Sequence, residues 1–569
     1  MKTHINFNSI TMKQKPAFKR IRFIICISLV FGMASCADYL EEKPLVAYSS
    51  DQYYDSPKKL NMAVLGVYDV LSGQNLFGIN MVMLDADNDL LIARNNTSVG
   101  NGTAIEDISH FNADTRNPSI ENIWKEFYFA INRANNAISS GKLVPTSSSK
   151  DIADVKKFVA EAKALRAFCY LNLAINFGDV PLRTEPSDLS QSLFVPRSSR
   201  AEVYSQIVKD FEDAITDLPW FSEDAELKGR LTKGAAMALL SRAYLFAGGY
   251  YLDQDGVVKR PGNYLEYYKK ADAVTKSLVE SGKHTLNPNY EQIFKNICGN
   301  ITEQSESMFE IDMAYLYGQS RHGGQIGTNS SGVLVSKYSS LYDCRPKLFT
   351  HYYAQQKFGT GDLRKTASIA DYSLTGPEPT WNKVVIAVKS SGTWSVAKWR
   401  RDWHASIPTN WSLSDVNFVV IRYAEVLLMR AEILNEINNG PTPEAIGLVN
   451  MVRRRGYGLP VSATSSVADI PAASAGGKVA FFTFLTDEYA RETLGEHHRK
   501  YHLLRWNLLG SKIAELGAIF KDPATINYHG IKGFICASLY TVGKSELYPI
   551  PNREIVENKG VLTQNPGYK

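Results

Sequence analysis

The sequence predicts a mainly α-helical protein with two lobes, a tetratricopeptide-like helical-repeat scaffold and a second lobe that is irregular and loop-rich. The scaffold is predicted because apolar residues recur at helical spacing in a series of separate segments. The second lobe is predicted because this pattern lapses between residues 314 and 415, where Gly, Ser, Tyr and Trp dominate. A chain of 569 residues is also too long for one ordinary core, so we expect several domains or a repeat array.

Residues 155–177 form the helix that predicts the scaffold most clearly. One apolar stripe along it consists of Phe158, Ala162, Leu165, Cys169 and Leu173. Apolar residues also fill much of the remaining circumference, which is typical of a helix that packs on more than one side. Ala164 and Phe168 keep the A-x3-F spacing of tetratricopeptide helix pairs. Gly178 is predicted to end the helix, and Pro181 blocks its continuation.

The same periodicity predicts helices on either side of this segment, and residues 307–311 are predicted to form a short buried strand. The further helices are expected at 54–72, 120–139, 197–217, 231–247, 264–281, 416–436 and 485–506. Helix pairs are therefore expected from about 51 to 282 and again over 416–514, with the loop-rich lobe packed against them. Arrays of this kind need about three or more repeats for stability.

A polar, Gly- and Asn-rich stretch at 73–118 has no sustained periodicity and is predicted to be a long loop, a kind of segment that is often functional. Its alternating carboxylates at 85–89 resemble the start of a calcium-binding loop. Leu90 and Asn96 stand where an EF-hand needs Gly and Glu. We therefore favour a polar loop that faces solvent or ligand, with calcium binding as the alternative. The candidate ligand-contacting residues are Asp87, Asp89, Arg94 and Asn96.

The charge balance gives no reason to expect a nucleic-acid partner. The formal net charge is +5, but residues 1–35 hold six of the 63 basic residues and none of the 58 acidic ones. The rest of the chain therefore carries 57 basic against 58 acidic residues. A nearly neutral chain lacks the basic surface that nucleic-acid binding requires.

The N-terminus has the pattern of a secreted lipoprotein. Residues 23–34 form an apolar run behind a basic region, and this run is too short to be a permanent membrane anchor. The sequence Met-Ala-Ser-Cys at 33–36 resembles a bacterial lipobox, so we predict that Cys36 becomes the lipid-modified first residue. An ordinary secretory signal with an incidental cysteine is the alternative, and Met12 is an alternative start.

Several longer motifs occur in order along the chain. They are W-x3-Y-x2-I-x-R-A-N from Trp124, E-x4-R-A-F-x-Y from Glu161, F-G-D-V-P-L from Phe177, R-L-T-K from Arg230, R-Y-A-E-V-L-L-M from Arg422, N-x-V-R-x-R-G from Asn450, the charged set Glu488, Arg491, Glu492, Glu496 and Arg499, and L-Y-P-I-P from Leu547. Together they resemble the SusD/RagB family of nutrient-binding lipoproteins on the outer surface of Bacteroidetes-type cells. The chain departs from that family at His497, where Gly is common, and at His502, where Asp is usual.

The resemblance implies a function and a location. It implies a glycan-binding lipoprotein that passes oligosaccharide to a SusC-like TonB-dependent outer-membrane transporter, with a peptide-binding RagB-like protein as the alternative. Cys36 would carry the lipid anchor in the outer membrane, and the acidic residues Asp38, Glu41 and Glu42 resemble the signal for display on the cell exterior. No cofactor is expected.

The resemblance also suggests a division of the chain. The expected parts are a signal peptide at 1–35, a lipidated tether at 36–50, a SusD-like helical-repeat region at 51–313, a loop-rich aromatic lobe at 314–415 as the candidate ligand-binding region, and a C-terminal SusD/RagB helical region at 416–569.

Aromatic side chains in the loop-rich lobe supply the other half of the predicted ligand site. Five of the eight tryptophans lie there, namely Trp381, Trp394, Trp399, Trp403 and Trp411. Sugars stack their CH faces on aromatic rings, and their hydroxyls need the Asp, Asn and Arg partners that the loop at 87–96 offers. We name Trp381, Trp394 and Trp403 as candidate ligand contacts.

The common enzyme motifs are missing from the sequence. It contains no Gly-x-Ser-x-Gly elbow, P-loop or dinucleotide-binding fingerprint, so no catalytic residue is predicted. A surface glycoside hydrolase stays an alternative because its carboxylate pair is set by the fold and not by sequence spacing. His498 and His502 have the i, i+4 spacing of metal ligands, but Arg499 would repel a cation, so no metal is expected. The disulfide state of Cys298, Cys344 and Cys536 is left open.

Overall fold

The structure is a computed structural model that describes residues 53–96, 103–187, 194–313, 320–330, 344–375, 382–404, 412–531 and 533–568. The predicted signal peptide, the tether with Cys36 and the candidate Trp381 lie outside the described residues. The stretch Tyr54–Lys569 forms one compact unit. The predicted divisions at 313/314 and 415/416 fall inside this unit and stay a prediction.

Helices dominate the described chain, and the strands are short. In chain order the helices are α1 (Pro57–Leu71), α2 (Asn80–Leu84), α3 (Ala104–Asp107), α4 (Pro118–Ser140), α5 (Ser149–Phe177), α6 (Arg200–Asp217), α7 (Lys233–Ala247), α8 (Tyr264–Glu280), α9 (Tyr290–Cys298), α10 (Tyr352–Gln355), α11 (Arg364–Ser368), α12 (Tyr423–Ile437), α13 (Pro443–Gly456), α14 (Lys478–Thr493), α15 (Arg499–Arg505), α16 (Leu509–Lys521), α17 (Cys536–Leu539) and α18 (Asn552–Glu557). The strands are β1 (Ile92–Ala93), β2 (Tyr251–Leu252), β3 (Val258–Lys259), β4 (Ser307–Ile311), β5 (Leu348–Phe349), β6 (Ile369–Ala370), β7 (Tyr372–Thr375), β8 (Asn382–Val385), β9 (Ser395–Val396) and β10 (Phe418–Arg422).

The long helices stack one against the next into a single array. α1 packs on α4, α4 on α5, α5 on α6, α6 on α7 and α7 on α8, and α8 then packs on α12, which contacts α13 and α14. This order is what a tetratricopeptide-like array requires, because each helix buries its apolar face on its chain neighbours. The predicted mainly helical fold is confirmed.

The α5 helix is apolar on most of its circumference and lies at the centre of the array. It begins at a capping box, in which the Ser148 hydroxyl accepts a hydrogen bond from the Asp151 backbone N–H at 3.1 Å. It ends at Gly178, whose φ of +72° suits glycine. A Cβ added at Gly178 would lie 2.9 Å from a methyl carbon of Leu547, so the helix end also needs a small residue.

Two predicted helices are wrong in part. The helix predicted at 416–436 begins only at Tyr423, because the β-branched run before it forms β10 and pairs with β4. The helix predicted at 485–506 is broken into α14 and α15. Gly495 and His497, with φ of +79° and +65°, turn the chain at this break, and the space beside Gly495 is filled by Val396.

The prediction of a solvent- or ligand-facing loop at 73–118 is wrong for residues 76–93, which are all buried. Apolar side chains such as Met83 and Leu90 alternate with the carboxylates and pack into the core. Two of the buried carboxylates are satisfied by α15, because Asp89 pairs with the Arg499 guanidinium and Asp85 accepts from the Lys500 backbone N–H. After residue 93 the chain returns to the surface at Arg94.

The loop-rich lobe is organised by a small antiparallel sheet with strand order β1-β5-β9-β6. Pairing of Ala93 with Leu348 brings the stretch after Asp89 against the lobe. A separate hairpin, β7–β8, extends from the sheet and exposes every residue of β8. The sheet therefore joins segments that are about 250 residues apart in sequence. A hydrogen bond from Thr350 to Leu90, 260 positions away, links the same two segments.

Candidate ligand-binding face

One end of the small sheet presents polar side chains to solvent. The Arg94 backbone N–H donates to the Lys347 carbonyl at 2.8 Å, and Arg94 and Asn95 are exposed. The buried Glu106 carboxylate accepts from Lys347 Nζ at 3.0 Å and from Asn95 Nδ2 at 3.1 Å. Burial raises the pKa of Glu106, but the Thr103 N–H and the Lys347 ammonium outweigh it and hold the pKa below its usual value. The carboxylate therefore fixes this polar edge.

The other end of β5 leads into an aromatic pair. The rings of Tyr352 and Tyr528 stack at a centroid distance of 5.5 Å and an angle of 25°. Ser391 holds both residues, since its Oγ accepts from the Tyr352 backbone N–H at 3.2 Å and donates to the Tyr528 carbonyl at 2.8 Å. Tyr353 packs edge-on against Tyr352. Tyr528 is 48% exposed, so a fixed aromatic surface faces solvent.

The two ends are tied together by the chain that follows Tyr528. The Ile535 backbone N–H donates to Asn96, at 2.7 Å to its Oδ1 and 3.1 Å to its carbonyl. Thr350 also links β5 to the stretch before β1, because its hydroxyl donates to the Leu90 carbonyl at 3.0 Å. We define the candidate face as Arg94, Asn95, Lys347, Tyr352 and Tyr528.

The predicted ligand residue Asp89 is buried in an ion pair. Its carboxylate accepts from Arg499 Nε at 2.7 Å and from Arg499 Nη2 at 2.6 Å. Burial would raise the pKa of Asp89, but the Arg499 guanidinium outweighs burial and lowers the pKa to about 2. Its neighbour Asp85 accepts from the Lys500 backbone N–H at 2.5 Å, and burial raises its pKa to about 7. These carboxylates dock α15.

Asp87 and Asn96 are also buried and hydrogen-bond to each other. Asp87 Oδ1 accepts from the Ala93 backbone N–H at 2.9 Å, and His110 Nε2 lies 3.6 Å from its other oxygen. The three carboxylates of the stretch for which calcium binding was the alternative therefore turn to separate protein partners. Of the four candidates in this stretch, the structure places only Arg94 on the surface, and a ligand contact by the other three stays a prediction.

The candidate tryptophans lie in different surroundings. Trp394 is 1% exposed, and its indole N–H donates to the Ile386 carbonyl at 3.1 Å. Trp403 is half-buried, with the Arg400 guanidinium 4.6 Å and the Lys295 ammonium 5.5 Å from its ring. Burial and saturated bonding favour a structural role for Trp394, while Trp403 keeps an accessible ring.

Tyr352 and Tyr528 were not predicted as site residues. Tyr352 lies in the aromatic-rich stretch, so composition pointed to its surroundings but not to the residue. Tyr528 lies between helices in a turn-rich segment with Asp522-Pro523 and His529-Gly530. Such dipeptides mark an exposed loop. They do not reveal that this loop meets Tyr352 from 176 positions away.

Comparison with known proteins places the chain in a family. Residues 315–568 match the profile described as the SusD family, and residues 38–245 match the related profile described as starch-binding associating with outer membrane. The chain belongs to the SusD family. Together the two matches cover both the helical array and the loop-rich lobe.

Individual relatives agree with this membership. The chain is 25% identical to SusD-like protein P25 of Formosa agariphila over 583 aligned positions, which cover 96% of this chain and 99% of the relative. A solved SusD homologue from Bacteroides thetaiotaomicron is 24% identical, with a TM-score of 0.79 over 91% of this chain and 98% of its own. A laminarin-binding SusD-like protein is 24% identical, with a TM-score of 0.67 over 90% of this chain and 100% of its own.

In this SusD-family chain, the charged motif residues lie in the interior. We define the buried ion network as Arg364, Arg422, Arg453, Arg455, Arg491, Lys398, Asp362, Glu306, Glu488, Glu492 and Glu496, all of them buried. Arg422 contacts three carboxylates of the network, namely Glu306 at 2.7 Å, Glu492 at 2.9 Å and Glu496 at 2.6 Å. Burial raises the pKa of Glu492, but the surrounding guanidinium groups outweigh it and lower that pKa.

The buried ion network joins the loop-rich lobe to α14. From the lobe, Arg364 reaches Glu488 at 2.6 Å and Lys398 reaches Glu496 at 2.5 Å. Next to Lys398, the Trp399 indole N–H donates to the Gly495 carbonyl at 3.0 Å. The motif residues therefore position the lobe, which contributes Lys347 and Tyr352 to the candidate face.

The described residues contain no group of three or more His, Cys, Asp or Glu side chains placed to hold a metal ion. His498 is the N-cap of α15 and His502 lies within it, and both are buried. Cys169, Cys298, Cys344 and Cys536 are buried thiols, so none of them forms a disulfide. Among the described helices, none combines the length and the apolar character needed to cross a membrane.

Proposed function

We propose that the protein is a glycan-binding lipoprotein of the outer membrane that captures oligosaccharide at the candidate face without cleaving it. The observation that carries the proposal is the exposed Tyr352–Tyr528 pair, which follows β5 while the polar edge of the sheet precedes it. Membership of the SusD family supports a nutrient-binding role, and a SusD-like relative binds laminarin.

The face has the chemistry that a sugar requires. A tyrosine ring offers an apolar surface on which the CH face of a sugar ring can stack, and Tyr528 exposes about half of its surface. The Arg94 guanidinium and the Asn95 amide offer hydrogen bonds to sugar hydroxyls. Because Ser391 and the β1–β5 pairing hold these groups in place, little ordering of the protein is needed on binding.

The surroundings of the face support binding without hydrolysis. A glycoside hydrolase needs one carboxylic acid that gives a proton to the leaving oxygen and a second carboxylate nearby. Glu106, the carboxylate beside Asn95, is buried, engaged by Lys347 and has a lowered pKa. It is therefore ionised at neutral pH and unable to act as the acid.

The location and partner follow from the N-terminus and the family. We propose that Cys36 carries the lipid, that the protein faces the cell exterior, and that it delivers ligand to a SusC-like TonB-dependent transporter. The family description of association with the outer membrane supports this location. A glycan is preferred over a peptide because one solved SusD-like protein is named for binding laminarin and another as a surface glycan-binding protein.

Calorimetric titration with laminarin, starch fragments and mixed oligopeptides tests the proposed function. We expect glycan binding, with the sugar recovered uncleaved. Tyr528→Ala should weaken binding about tenfold, equivalent to ~1.4 kcal/mol. Ile526→Ala, which removes another exposed side chain of the same loop, should leave affinity unchanged. Peptide binding without glycan binding, or release of shortened sugars, would contradict the proposal.

Fractionation of cells tests the proposed location. Replacement of Cys36 by Ala should release the protein from membranes, and unchanged membrane attachment would exclude the lipid anchor. Purification of the native protein from membranes should recover a large outer-membrane transporter with it. Repeated failure to recover one would contradict the proposed delivery step.

A further inference from the structure

A groove lies outside the candidate face, between α4, the connection from α5 to α6, and α18. Its volume is about 540 Å³. Phe129 on α4 is 54% exposed and Phe194 on the connection is 37% exposed, and both line the groove. Large apolar side chains exposed within one concave surface are typical of a binding site.

Polar groups lie between these two rings. Glu554 of α18 is half-buried in the groove, and burial, together with the nearby Glu557 carboxylate, raises its pKa, while a hydrogen bond from the Trp124 side chain opposes the rise. The Asn558 amide donates to the Val195 carbonyl at 3.4 Å. Its buried Oδ1 has no partner in the described part of the protein, so a hydrogen-bond acceptor is available to a ligand.

The opposite side of the groove adds amide groups. Asn132 uses its Oδ1 to accept from the Ser187 backbone N–H at 2.9 Å, which orients its NH2 group. The Tyr128 hydroxyl donates to the Pro181 carbonyl at 2.8 Å and presents the side of its ring. The walls are therefore held in place by bonds within the protein, and the site exists before a ligand arrives.

This combination of groups decides the class of ligand. A peptide strand would need an open strand edge to bind its backbone, whereas the groove is walled by helices and a connection. An amphipathic helix would need a continuous apolar surface, which the Glu554 carboxyl interrupts. Neither an anionic nor a cationic ligand is favoured, because Lys125 and Arg183 balance Glu554 and Glu557 among the lining residues. A polyhydroxylated neutral ligand satisfies both the rings and the polar groups.

We propose that this groove is a second glycan-binding site that takes a neutral oligosaccharide. The inference rests on the proposed function, because it assigns the same ligand class to a different part of the chain. The groove is formed by the helical array and α18, whereas the candidate face is formed by residues of the loop-rich lobe together with Arg94, Asn95 and Tyr528. Two sites on one anchored protein hold a polysaccharide more firmly than either holds a short fragment, because the second contact is made at high effective concentration.

Titration of the purified full-length protein with laminarihexaose and maltohexaose tests the second site. The wild type should bind two molecules of at least one of these sugars per chain. In the Tyr352→Ala/Tyr528→Ala variant one site should remain, and adding Phe129→Ala should weaken that remaining site about tenfold or more. Glu554→Gln, which keeps the shape of the groove, should weaken the same site about threefold.

Leu143→Ala is the matched control, because Leu143 is 45% exposed just beyond α4 and outside the groove. It should change neither site. A stoichiometry of one that the tyrosine variant abolishes would overturn the second site and leave the proposed function standing. Absence of any glycan binding by the wild type would overturn both. All of these side chains are at least partly exposed, and unchanged thermal midpoints would confirm that the variants fold.

Discussion

The helical array and the junction with the loop-rich lobe are both buried, but they differ in how apolar and charged contacts are combined. The array is mainly apolar with separate buried ion pairs, such as Arg166 with Asp210, whereas at the junction the ion pairs are connected into one network. In the array, α5 buries Leu165, Phe168 and small alanines against its neighbours. At the junction, the interior is occupied by the buried ion network. Its residues Arg364, Arg422 and Arg455 are as inaccessible to solvent as the apolar side chains of α5. Apolar packing is non-directional, whereas each guanidinium must meet its carboxylates in one geometry.

This difference shows what each region contributes. An array of helices tolerates small shifts between neighbours, because apolar contacts reform at slightly different positions. The buried ion network does not, since an unpaired charge in the interior costs several kcal/mol. The network therefore fixes where the loop-rich lobe, and with it the candidate face, sits against α14.

The largest effect is expected from removal of an arginine of the network. Arg422→Ala leaves Glu306, Glu492 and Glu496 without their shared partner, and we expect a loss of about 5 kcal/mol in the free energy of unfolding. Urea unfolding measures it. Arg553→Ala is the surface control, because it breaks an ion pair with Glu557 in which the two side chains are 64% and 59% exposed. It should cost less than about 1 kcal/mol in the free energy of unfolding. Equal losses in the two variants would show that the buried ion network contributes no more to stability than an exposed ion pair.

Mild acid should destabilise the protein through its buried histidines. Burial lowers the pKa of His322, His351 and His498 from 6.5 to about 3. Above pH 6.5 they are neutral in both states, and below it the unfolded chain binds protons that the folded chain rejects. Stability is therefore complete above pH 6.5 and falls as the pH drops towards 3. For these three residues the contribution at pH 5.5 should be a loss of about 4 kcal/mol. The buried carboxyls of Asp85 and Glu310, whose pKa values are raised to about 7, contribute in the opposite direction over the same range.

Unfolding by urea at pH 7.5, 6.5 and 5.5 measures this loss. His351→Asn is the matched variant, because asparagine can still accept the hydrogen bond that His351 takes from the Ala354 backbone N–H. It should reduce the loss at pH 5.5 by about 1.4 kcal/mol. An equal dependence on pH in the wild type and in His351→Asn would contradict the buried neutral state of His351. The carboxylates Glu492 and Glu496, whose pKa values are lowered, add their effect only below their usual range.

A smaller loss is expected from the array. Leu165 is fully buried in α5, and Leu165→Ala should cost about 3 kcal/mol through lost transfer energy and a residual cavity. Since no charge is involved, the loss should be the same at pH 7.5 and pH 6.5. A loss that grew on acidification would mean that the array and the charged junction do not respond separately.

The sequence allowed the array to be predicted and not the junction, for a physical reason. Helical periodicity follows from burial of one face of a helix. It predicted the end of α5 at Phe177 correctly and placed its start six residues after the observed start at Ser149. The charges of α14 resemble a solvated surface, because a single chain does not reveal partners on distant segments. Arg422 and Glu496 are 74 positions apart and meet only in the fold.

The candidate site was predictable in composition but not in detail. The aromatic-rich stretch was identified, yet Trp394 proved to be buried and the exposed pair includes Tyr528 from a different segment. Asp89 was assigned to a ligand because it lies in a polar stretch, whereas its partner Arg499 is 410 positions away. Pairing between distant segments decides which polar residues are available to a ligand. The local sequence pattern does not reveal which distant residues pair.

Hydrogen exchange in the Arg364→Met variant at pH 7 tests most directly whether buried charges hold the lobe in place. Arg364 links the lobe to Glu488 and Glu492 at 2.6 and 3.1 Å. We predict faster exchange at 344–375 and 382–404, where the lobe loses its attachment, with wild-type protection at 155–177 in the array. Equal acceleration in both regions, or unchanged protection in the lobe, would contradict the account.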